Sequence, residues 1–296
     1  MGFFVDVSGR TLVSLAGHES LDLLQRISTN NVVQLKAYGS VQTVLTNEKG
    51  RIVDVVSVID NGQGKLLVAG HSTDTESLRH WIEKYVIMED IKIEDLTSDS
   101  FNVVLYRLEL QNEDPAILDL PSGCHAFVEV MGGVRFERIV GGKALQSVVA
   151  ELLSGFGFSE SSKEDFEQFR IARGVPGFPN ELSSSYNPLE AGLGSLVSWT
   201  KGCYVGQEVI ARLDTYKKLQ KTLVRMDLAE MPDSLPQIFF DQAGEAGTIT
   251  SAIRGSSTGE NRGLGYLKTS IESLDGPFFF QREDREVNVS VVDDAA

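Results

Sequence analysis

The chain of 296 residues contains few of the features that assign a protein to a class at first sight. It has only two cysteines, Cys124 and Cys203, which are too few for a disulfide framework. Neither cysteine lies in a CxxC or Cys/His spacing that is typical of a zinc site. We therefore expect two separate free thiols and no permanently bound metal.

Positive charge is also scarce. The chain has 27 Lys and Arg against 42 Asp and Glu, so its formal net charge is −15 and its isoelectric point is about 4.7. Phosphate backbones and anionic lipid surfaces bind proteins through clustered Lys and Arg, so we expect neither a nucleic acid nor a membrane as a partner. No apolar run approaches the roughly 18 residues that cross a bilayer, and the N-terminus does not resemble a secretory signal. We predict a cytoplasmic protein.

Familiar catalytic motifs are missing. There is no GxSxG nucleophile elbow, no GxxxxGK[ST] phosphate loop and no GxGxxG, which excludes a common hydrolytic triad and a common nucleotide-binding loop. The four histidines are scattered, and none lies in a nucleophile or metal-binding motif: His18, His71, His80 and His125.

The first half of the sequence alternates between strand-like and helix-like patterns. Residues 39–70 form three apolar runs separated by the turns NEKG and NGQGK, which predicts a β-meander. Helices are predicted on both sides of it, because apolar residues recur at helical spacing: Leu21, Leu24 and Ile27, then Leu78, Trp81, Ile82, Tyr85 and Val86. Further strands are predicted at 101–110 and 125–131, and a helix at 143–154. Since no βαβ regularity appears, we predict an α+β fold.

The second half of the sequence has a different pattern of residues. A helix is predicted at 162–173, with Ser161 and Glu164 as a capping box and Gly174 as its stop. About thirty residues rich in Gly, Ser and Pro follow, and loops of this length are usually functional. From Lys221 onward, short β segments predict a small barrel: KTLVRMDL, AGTITSAIR, RGLGYLK, PFFFQ and REVNVSVVD. We predict two regions, 1–218 and 219–296.

The segment KGCYVGQE, residues 201–208, has the highest density of unusual residues. Gly202 and Gly206 permit unusual dihedral angles or a close approach of a ligand to the backbone. The Lys201 ammonium and a helix that begins near Gly206 would both favour the thiolate form of Cys203. The alternative interpretation is a buried cysteine in a tight turn before a helix.

KGCYVGQEVIAR resembles the signature of the YgfZ family, relatives of the glycine cleavage system T-protein, an aminomethyltransferase. Other segments are similar to the family in the same order along the chain: LAGHESLDLLQRISTNNV, TVLTNEKGRIVDVVSV, FRIARGVPGFPNEL, NPLEAGL and GTITSA. The resemblance implies two interleaved α+β lobes that form a folate-binding region, and a C-terminal β-barrel. It also implies a central opening that binds tetrahydrofolate or a one-carbon derivative.

The resemblance also implies roles for individual residues. Glu190 in NPLEAGL would hold the pterin, since a carboxylate can accept two parallel N–H donors; alternatively, it is only an acidic residue at a helix start after Pro188. The T-protein relatives carry two aspartates in GGIxDD, of which this chain keeps only Asp54. Asp54 would bind folate or lie on a solvent-facing side of its strand. Lys201 and Arg212 are candidates for binding the glutamate tail of folate.

Three functions remain open at this point. The leading hypothesis is a folate-binding accessory protein in iron–sulfur cluster assembly or maintenance, with assembly or client proteins as partners and Cys203 as a redox thiol or transient ligand. The second is a tetrahydrofolate-dependent aminomethyl transferase with Asp54 as the acid/base. Because one aspartate of the pair is missing, this option is in doubt. The third is a module that senses folate and docks on another protein.

Overall fold

The computed structural model describes residues 1–35, 39–108, 119–255, 259–271, 273–274 and 276–292. In the first part of the chain these residues form β1 (Gly2–Asp6), β2 (Leu12–Ala16), α1 (Ser20–Ile27), β3 (Ser40–Thr46), β4 (Ile52–Asp60), β5 (Lys65–Gly70), α2 (Thr75–Glu83) and β6 (Lys92–Asp95). The middle part forms β7 (Ser100–Arg107), β8 (His125–Met131), β9 (Val134–Gly142), α3 (Gln146–Gly155), β10 (Phe158–Glu160), α4 (Lys163–Ala172) and α5 (Gln207–Thr215). The last part forms β11 (Lys221–Leu228), β12 (Gln237–Asp241), β13 (Gly244–Arg254), β14 (Asn261–Lys268), β15 (Phe278–Arg282) and β16 (Arg285–Val292).

The strands form two five-stranded sheets and a closed barrel. The first sheet has the order β10-β1-β7-β9-β8, and the second has the order β3-β4-β5-β2-β6. The chain therefore begins in the first sheet, crosses into the second at a short turn around Gly9, and returns to the first with β7. Strands β11 to β16 close into the barrel. The predicted α+β fold, with two interleaved lobes and a C-terminal barrel, is confirmed.

The predicted meander corresponds to β3, β4 and β5, which pair antiparallel in sequence order. Helices α1 and α2 bury their apolar stripes against this sheet, because Leu24, Ile27, Leu78 and Ile82 belong to one core cluster with its strands. The strand predicted at 101–110 is observed as β7, and residues 109–110 lie outside the described residues. The apolar pattern does not predict six of the strands: β1, β2, β6, β9 and β10 in the lobes and β12 in the barrel.

The start of α4 differs from the prediction by one residue. The N-cap is Ser162, whose Oγ accepts a hydrogen bond from the Asp165 backbone N–H at 3.0 Å, so the cap formed by Ser161 and Glu164 is wrong. The Ser161 backbone N–H instead donates to the Phe4 carbonyl and extends the sheet contact of β10. Gly174 has a positive φ of 72° after the helix, as its predicted role as a stop requires.

The long segment between α4 and α5 packs between the lobes and the barrel. Glu181 is completely buried, and its carboxylate binds Arg170 of α4 at 2.9 Å and the hydroxyls of Thr250 and Ser251 in the barrel at 2.5 and 2.7 Å. Tyr186 stacks on Tyr266 of the barrel with ring centroids 3.5 Å apart. The division of the chain at 218/219 into two regions stays a prediction, although the first barrel strand begins at Lys221.

Candidate functional site

A narrow cavity lies where the two lobes meet α4 and the segment that follows it. Its volume is about 30 Å³, which is room for one or two water molecules. The apolar wall comes from the first sheet, α4 and the loop after α4: Val104, Met131, Phe136, Phe166, Val175, Pro176 and Phe178. The polar wall combines residues from both lobes and α4: Arg10, His71, Glu129, Glu167 and Arg170. Because pockets for small ligands measure roughly 300 Å³ or more, a flat, polar ring system would enter this aromatic slot only if its walls moved apart.

The polar wall contains a buried ionic network that joins the two sheets. His71 Nε2 lies 3.1 Å from Glu129 Oε2, and Arg138 Nη1 lies 3.0 Å from Glu129 Oε1. Arg138 is completely buried and also donates to the Gly70 carbonyl of the second sheet at 2.7 Å. Ser57 of β4 completes the set with a bond of 2.8 Å to Glu129. Glu129 therefore binds groups from both lobes at once.

Burial and neighbouring charges set the protonation of this network. Burial alone would raise the pKa of Glu129, but Arg138 and His71 hold it well below its ordinary value. Burial lowers the pKa of His71, and the attraction of Glu129 offsets only part of that shift. The pair therefore consists of a carboxylate and a neutral imidazole near neutral pH. The tautomer that suits this pair has the proton on Nε2, where it is donated to Glu129.

Asp54 does not lie on a solvent-facing side of its strand. It is 0% exposed, and its Oδ1 accepts backbone N–H groups of Val55, His71 and Ser72 at 2.8, 3.1 and 3.1 Å. Burial raises its pKa to about 7 in spite of these bonds. The described lining of the cavity does not include Asp54. It fixes the backbone from which the His71 ring enters the cavity, and its roles in folate binding and catalysis stay predictions.

The position after Asp54 carries no acid. Val55 is completely buried in the core cluster between the lobes, where an ionised carboxylate would be costly. A pair of neighbouring aspartates, as in GGIxDD, therefore cannot operate at this point of the sheet.

Glu190 lies apart from the described lining of the cavity. It is 4% exposed, and its Oε2 accepts the Asn187 backbone N–H at 3.1 Å and pairs with Arg51 Nη1 at 3.0 Å. Its backbone carbonyl accepts the N–H of Leu223 in the first barrel strand. Glu190 thus connects the β3–β4 turn, the long segment and the barrel. A ligand that uses this carboxylate has to share it with Arg51.

Lys201 donates hydrogen bonds to the main chain. Its ammonium donates to the carbonyls of Gln25, Ser28 and Asn30, each at 2.7 Å, at the end of α1. These three bonds use all three N–H donors of the group, and burial lowers its pKa to about 8. A contact of Lys201 with the glutamate tail of folate would have to replace one of these bonds, and its roles toward folate and Cys203 stay predictions.

Cys203 and Arg212 are at the surface. Cys203 is exposed just before α5, which begins at Gln207 with Gly206 as its N-cap, as the sequence predicts. The alternative of a buried cysteine in a tight turn is wrong. Gly206 has a φ of 82°, and a Cβ there would meet the Asn47 carbonyl at 2.6 Å, which explains its requirement for glycine. Arg212 is exposed on α5.

The sequence does not predict the residues of the cavity. His71 is one of four scattered histidines, and no motif marks Arg10, Glu129 or Glu167. Their positions in the chain carry no motif, because four separate elements bring them together. The sequence offers one sign of the cavity, a charged residue within an apolar strand pattern, as for Glu129 in HAFVEVM.

Sequence comparisons relate the chain to transferases. No protein-family model matches it. A chloroplastic protein of Arabidopsis thaliana named as a transferase is 27% identical over 294 residues, covering 91% of this chain and 66% of that protein. The aminomethyltransferase of Geobacillus kaustophilus is 24% identical over 305 residues, covering 91% and 80%. The chain spans just under two thirds of the length of the first relative.

Among solved structures, the glycine cleavage system aminomethyltransferase T from Bartonella henselae matches 99% of this chain and 85% of its own, with a TM-score of 0.79 and 16% identity. The chain has the aminomethyltransferase fold. The cavity lies between the lobes, and the central opening that the resemblance implies stays a prediction. The finer resemblance to the YgfZ branch stays a prediction.

Two further observations concern metals and membranes. Within the described ranges, no group of three His, Cys, Asp or Glu side chains lies close enough together to hold a metal ion. The expectation of no bound metal stays a prediction. None of the described helices is both long and apolar enough to span a membrane.

Proposed function

We propose that this protein binds a reduced folate, tetrahydrofolate or a one-carbon derivative, in the cavity between its lobes. The single observation that carries the proposal is the aromatic slot with carboxylates along one side, in an aminomethyltransferase fold. Phe136, Phe166 and Phe178 would flank a bicyclic ring once the walls of the cavity move apart to admit it, and Glu167 would offer oxygens to its N–H groups. The relatives named aminomethyltransferases support a folate ligand.

Two carboxylates are candidates for holding the pterin. Glu190 is favoured by the resemblance, whereas Glu167 is favoured by its place in the cavity and by a side chain that is 45% exposed. Both carboxylates already belong to an ion pair, Glu190 with Arg51 and Glu167 with Arg170, so the preference for Glu167 rests on its place in the cavity and its exposure. We therefore expect Glu167→Gln to weaken folate binding by roughly 1.5–3 kcal/mol, the scale of a lost charge-assisted pair, and Glu190→Gln to act mainly on stability. Isothermal titration of both variants separates them; a loss confined to Glu190→Gln would return the pterin to Glu190.

We further propose that the protein is an accessory factor in iron–sulfur cluster assembly or maintenance, and that Cys203 is its working thiol. Support comes from the exposure of Cys203 and from its place in a glycine-bounded segment, where a transient ligand or redox partner can reach it. Two cysteines cannot supply the four thiolates of a stable cluster, so the role has to be transient. Client or assembly proteins would be the partners.

The alternative is a folate-dependent aminomethyl transferase. The names of the relatives favour it, but Asp54 is fully engaged by main-chain N–H groups and Val55 is apolar, so the geometry favours the accessory role. We expect no release of methylenetetrahydrofolate from an aminomethyl donor at about 1 per second, an ordinary enzymatic rate. Turnover at that rate would establish the transferase.

The role of Cys203 is tested by complementation. In a strain from which the gene is deleted, Cys203→Ser should fail to restore the activity of iron–sulfur enzymes while it folds and binds folate normally. Cys124→Ser is the matched control and should restore activity. Full restoration by Cys203→Ser would show that the thiol has no chemical role, and the folate-sensing module would then be the better account.

A further inference from the structure

Arg10 presents an unpaired cation to the cavity. It follows Gly9, whose φ of 98° allows the sharp turn by which the chain passes from β1 in one sheet to β2 in the other. This turn brings the guanidinium to the polar wall, among the residues that line the cavity. No described residue accepts a hydrogen bond from the guanidinium or lies within ion-pair distance of it.

The neighbouring carboxylates are occupied by other partners. Glu129 binds Arg138, His71 and Ser57. Both oxygens of Glu167 lie within 2.8 Å of Arg170 Nε. These two carboxylates attract Arg10 only at longer range, and burial lowers its pKa to about 10.

The Arg10 guanidinium keeps its hydrogen-bonding capacity for a ligand. It has five N–H donors, and Arg10 is half-buried at the edge of the cavity. Arg138 and Arg170, which line or adjoin the same space, each bind a carboxylate and main-chain carbonyls. Of these three arginines, Arg10 is therefore the one whose N–H donors remain unpaired toward the cavity.

We propose that Arg10 is the carboxylate-binding group of the central cavity. A planar guanidinium pairs with a carboxylate through two parallel hydrogen bonds. The fixed negative charges of Glu129 and Glu167 disfavour a dianion such as phosphate beside it. The apolar wall formed by Met131, Phe136 and Phe178 suits a ligand in which the carboxylate is attached to an apolar or aromatic body.

The carboxylate that binds Arg10 has two possible sources. It is the glutamate of the folate, if the proposed folate occupies the cavity, or it belongs to a separate small acid that binds beside the folate. The first source rests on the proposed function, and the second does not. The shared chemistry is a monovalent carboxylate on Arg10, and the probes are acetate and benzoate, with acetamide and benzamide as uncharged controls of the same shape.

Thermal unfolding with these probes tests the proposal. Benzoate and acetate should raise the Tm of the protein, and the two amides should not. Arg10→Gln should abolish this shift, or weaken benzoate binding at least about tenfold by calorimetry, as expected when a bidentate charged pair is lost. Arg135→Gln, at an exposed position of β9, is the matched control and should keep the shift. Equal shifts from acids and amides, or an unchanged shift in Arg10→Gln, would overturn the proposal.

Two further arms keep the result interpretable. If Arg10→Gln fails to fold, Arg10→Lys keeps the charge but should lose the preference for benzoate over benzamide. Tetrahydrofolate then distinguishes the sources. If tetrahydrofolate displaces benzoate, and Arg10→Gln weakens the binding of tetrahydrofolate but not that of 6-methyltetrahydropterin, the carboxylate belongs to the folate. If benzoate and tetrahydrofolate bind at the same time, the carboxylate belongs to a separate acid. Benzoate binding with no folate binding would support Arg10 and contradict the proposed function.

Discussion

Two buried carboxylates, Asp54 and Glu129, respond in opposite ways to similar burial. Glu129 lies against Arg138 and His71, so its pKa stays well below the ordinary value. Asp54 has main-chain N–H groups as its hydrogen-bond partners, and burial raises its pKa to about 7. A neighbouring cation offsets the cost of burying a charge, whereas neutral donors offset only part of it. Asp54 therefore makes the stability of the protein depend on pH.

The pH dependence has a definite sign. The folded protein holds the Asp54 proton between the unfolded pKa of 3.8 and the folded pKa of about 7, so the free energy of unfolding should fall as pH rises through this window. Each pKa unit corresponds to about 1.4 kcal/mol. Asp54→Asn keeps the acceptor oxygen without the charge, and its stability relative to the natural protein should rise by a few kcal/mol from pH 4 to 7. Urea unfolding at several pH values measures this; a constant difference would contradict it.

The two thiols should differ in reactivity. Cys203 is exposed, whereas Cys124 is partly buried against Phe101 and Gly141, and burial raises the pKa of its thiol. Since the thiolate is the reactive form, iodoacetamide should modify Cys203 several-fold faster at neutral pH. Peptide mapping by mass spectrometry after timed labelling measures both rates. Equal or faster modification of Cys124 would contradict the accessible position of Cys203.

At the scale of elements, Lys201 connects the segment before α5 to the end of α1. The last carbonyls of a helix have no partner within the helix, and the Lys201 ammonium supplies donors for three carbonyls in and after α1. The same contact brings the KGCYVGQE segment against the second sheet, where Thr46 donates to the Val205 carbonyl at 2.7 Å. The segment that carries Cys203 is therefore held in place by its own lysine.

Replacing this lysine should destabilise the fold. Lys201→Met leaves partly buried carbonyls without donors, which should lower the free energy of unfolding by about 1–3 kcal/mol. Lys49→Met, at an exposed turn position, is the control and should change it little. Urea unfolding of both variants provides the comparison. Equal stabilities would mean that the three carbonyl bonds contribute nothing.

The sequence predicts elements better than it predicts the site. The meander, the helices and the barrel follow from periodicity and turn residues, which are local, and the missed strand β12 is short and follows a loop rich in Pro, Asp and Ser. The site depends on contacts between residues far apart in the chain, such as His71 with Glu129 or Arg170 with Glu181. Lys201 shows the limit most clearly, because its charge does not reveal that three main-chain carbonyls accept its N–H groups.

At the scale of the whole molecule, the lobes and the barrel meet at Glu181. This residue is completely buried and accepts hydrogen bonds from Arg170, Gly177, Thr250 and Ser251. Arg170 also lines the cavity, so the same ion pair that joins the barrel to α4 also orders one wall of the proposed folate site.

Breaking this ion pair should affect the whole molecule. Glu181→Gln leaves Arg170 with an incomplete set of partners, and loss of one partner of a buried pair costs about 3–5 kcal/mol. Glu167→Gln removes the half-exposed partner of the same arginine and should cost much less. Thermal unfolding compares the two variants. A similar loss of stability in both would show that Glu181 does not hold the barrel to the lobes.

The central claim is that the cavity between the lobes binds a reduced folate, and isothermal titration calorimetry tests it most directly. Tetrahydrofolate and its 5-formyl derivative should each bind the purified protein with a dissociation constant in the micromolar range, a binding free energy of about 8 kcal/mol. The titration needs no partner protein and no turnover, so it does not depend on the role of Cys203. If neither folate binds at concentrations up to the millimolar range, the account is contradicted.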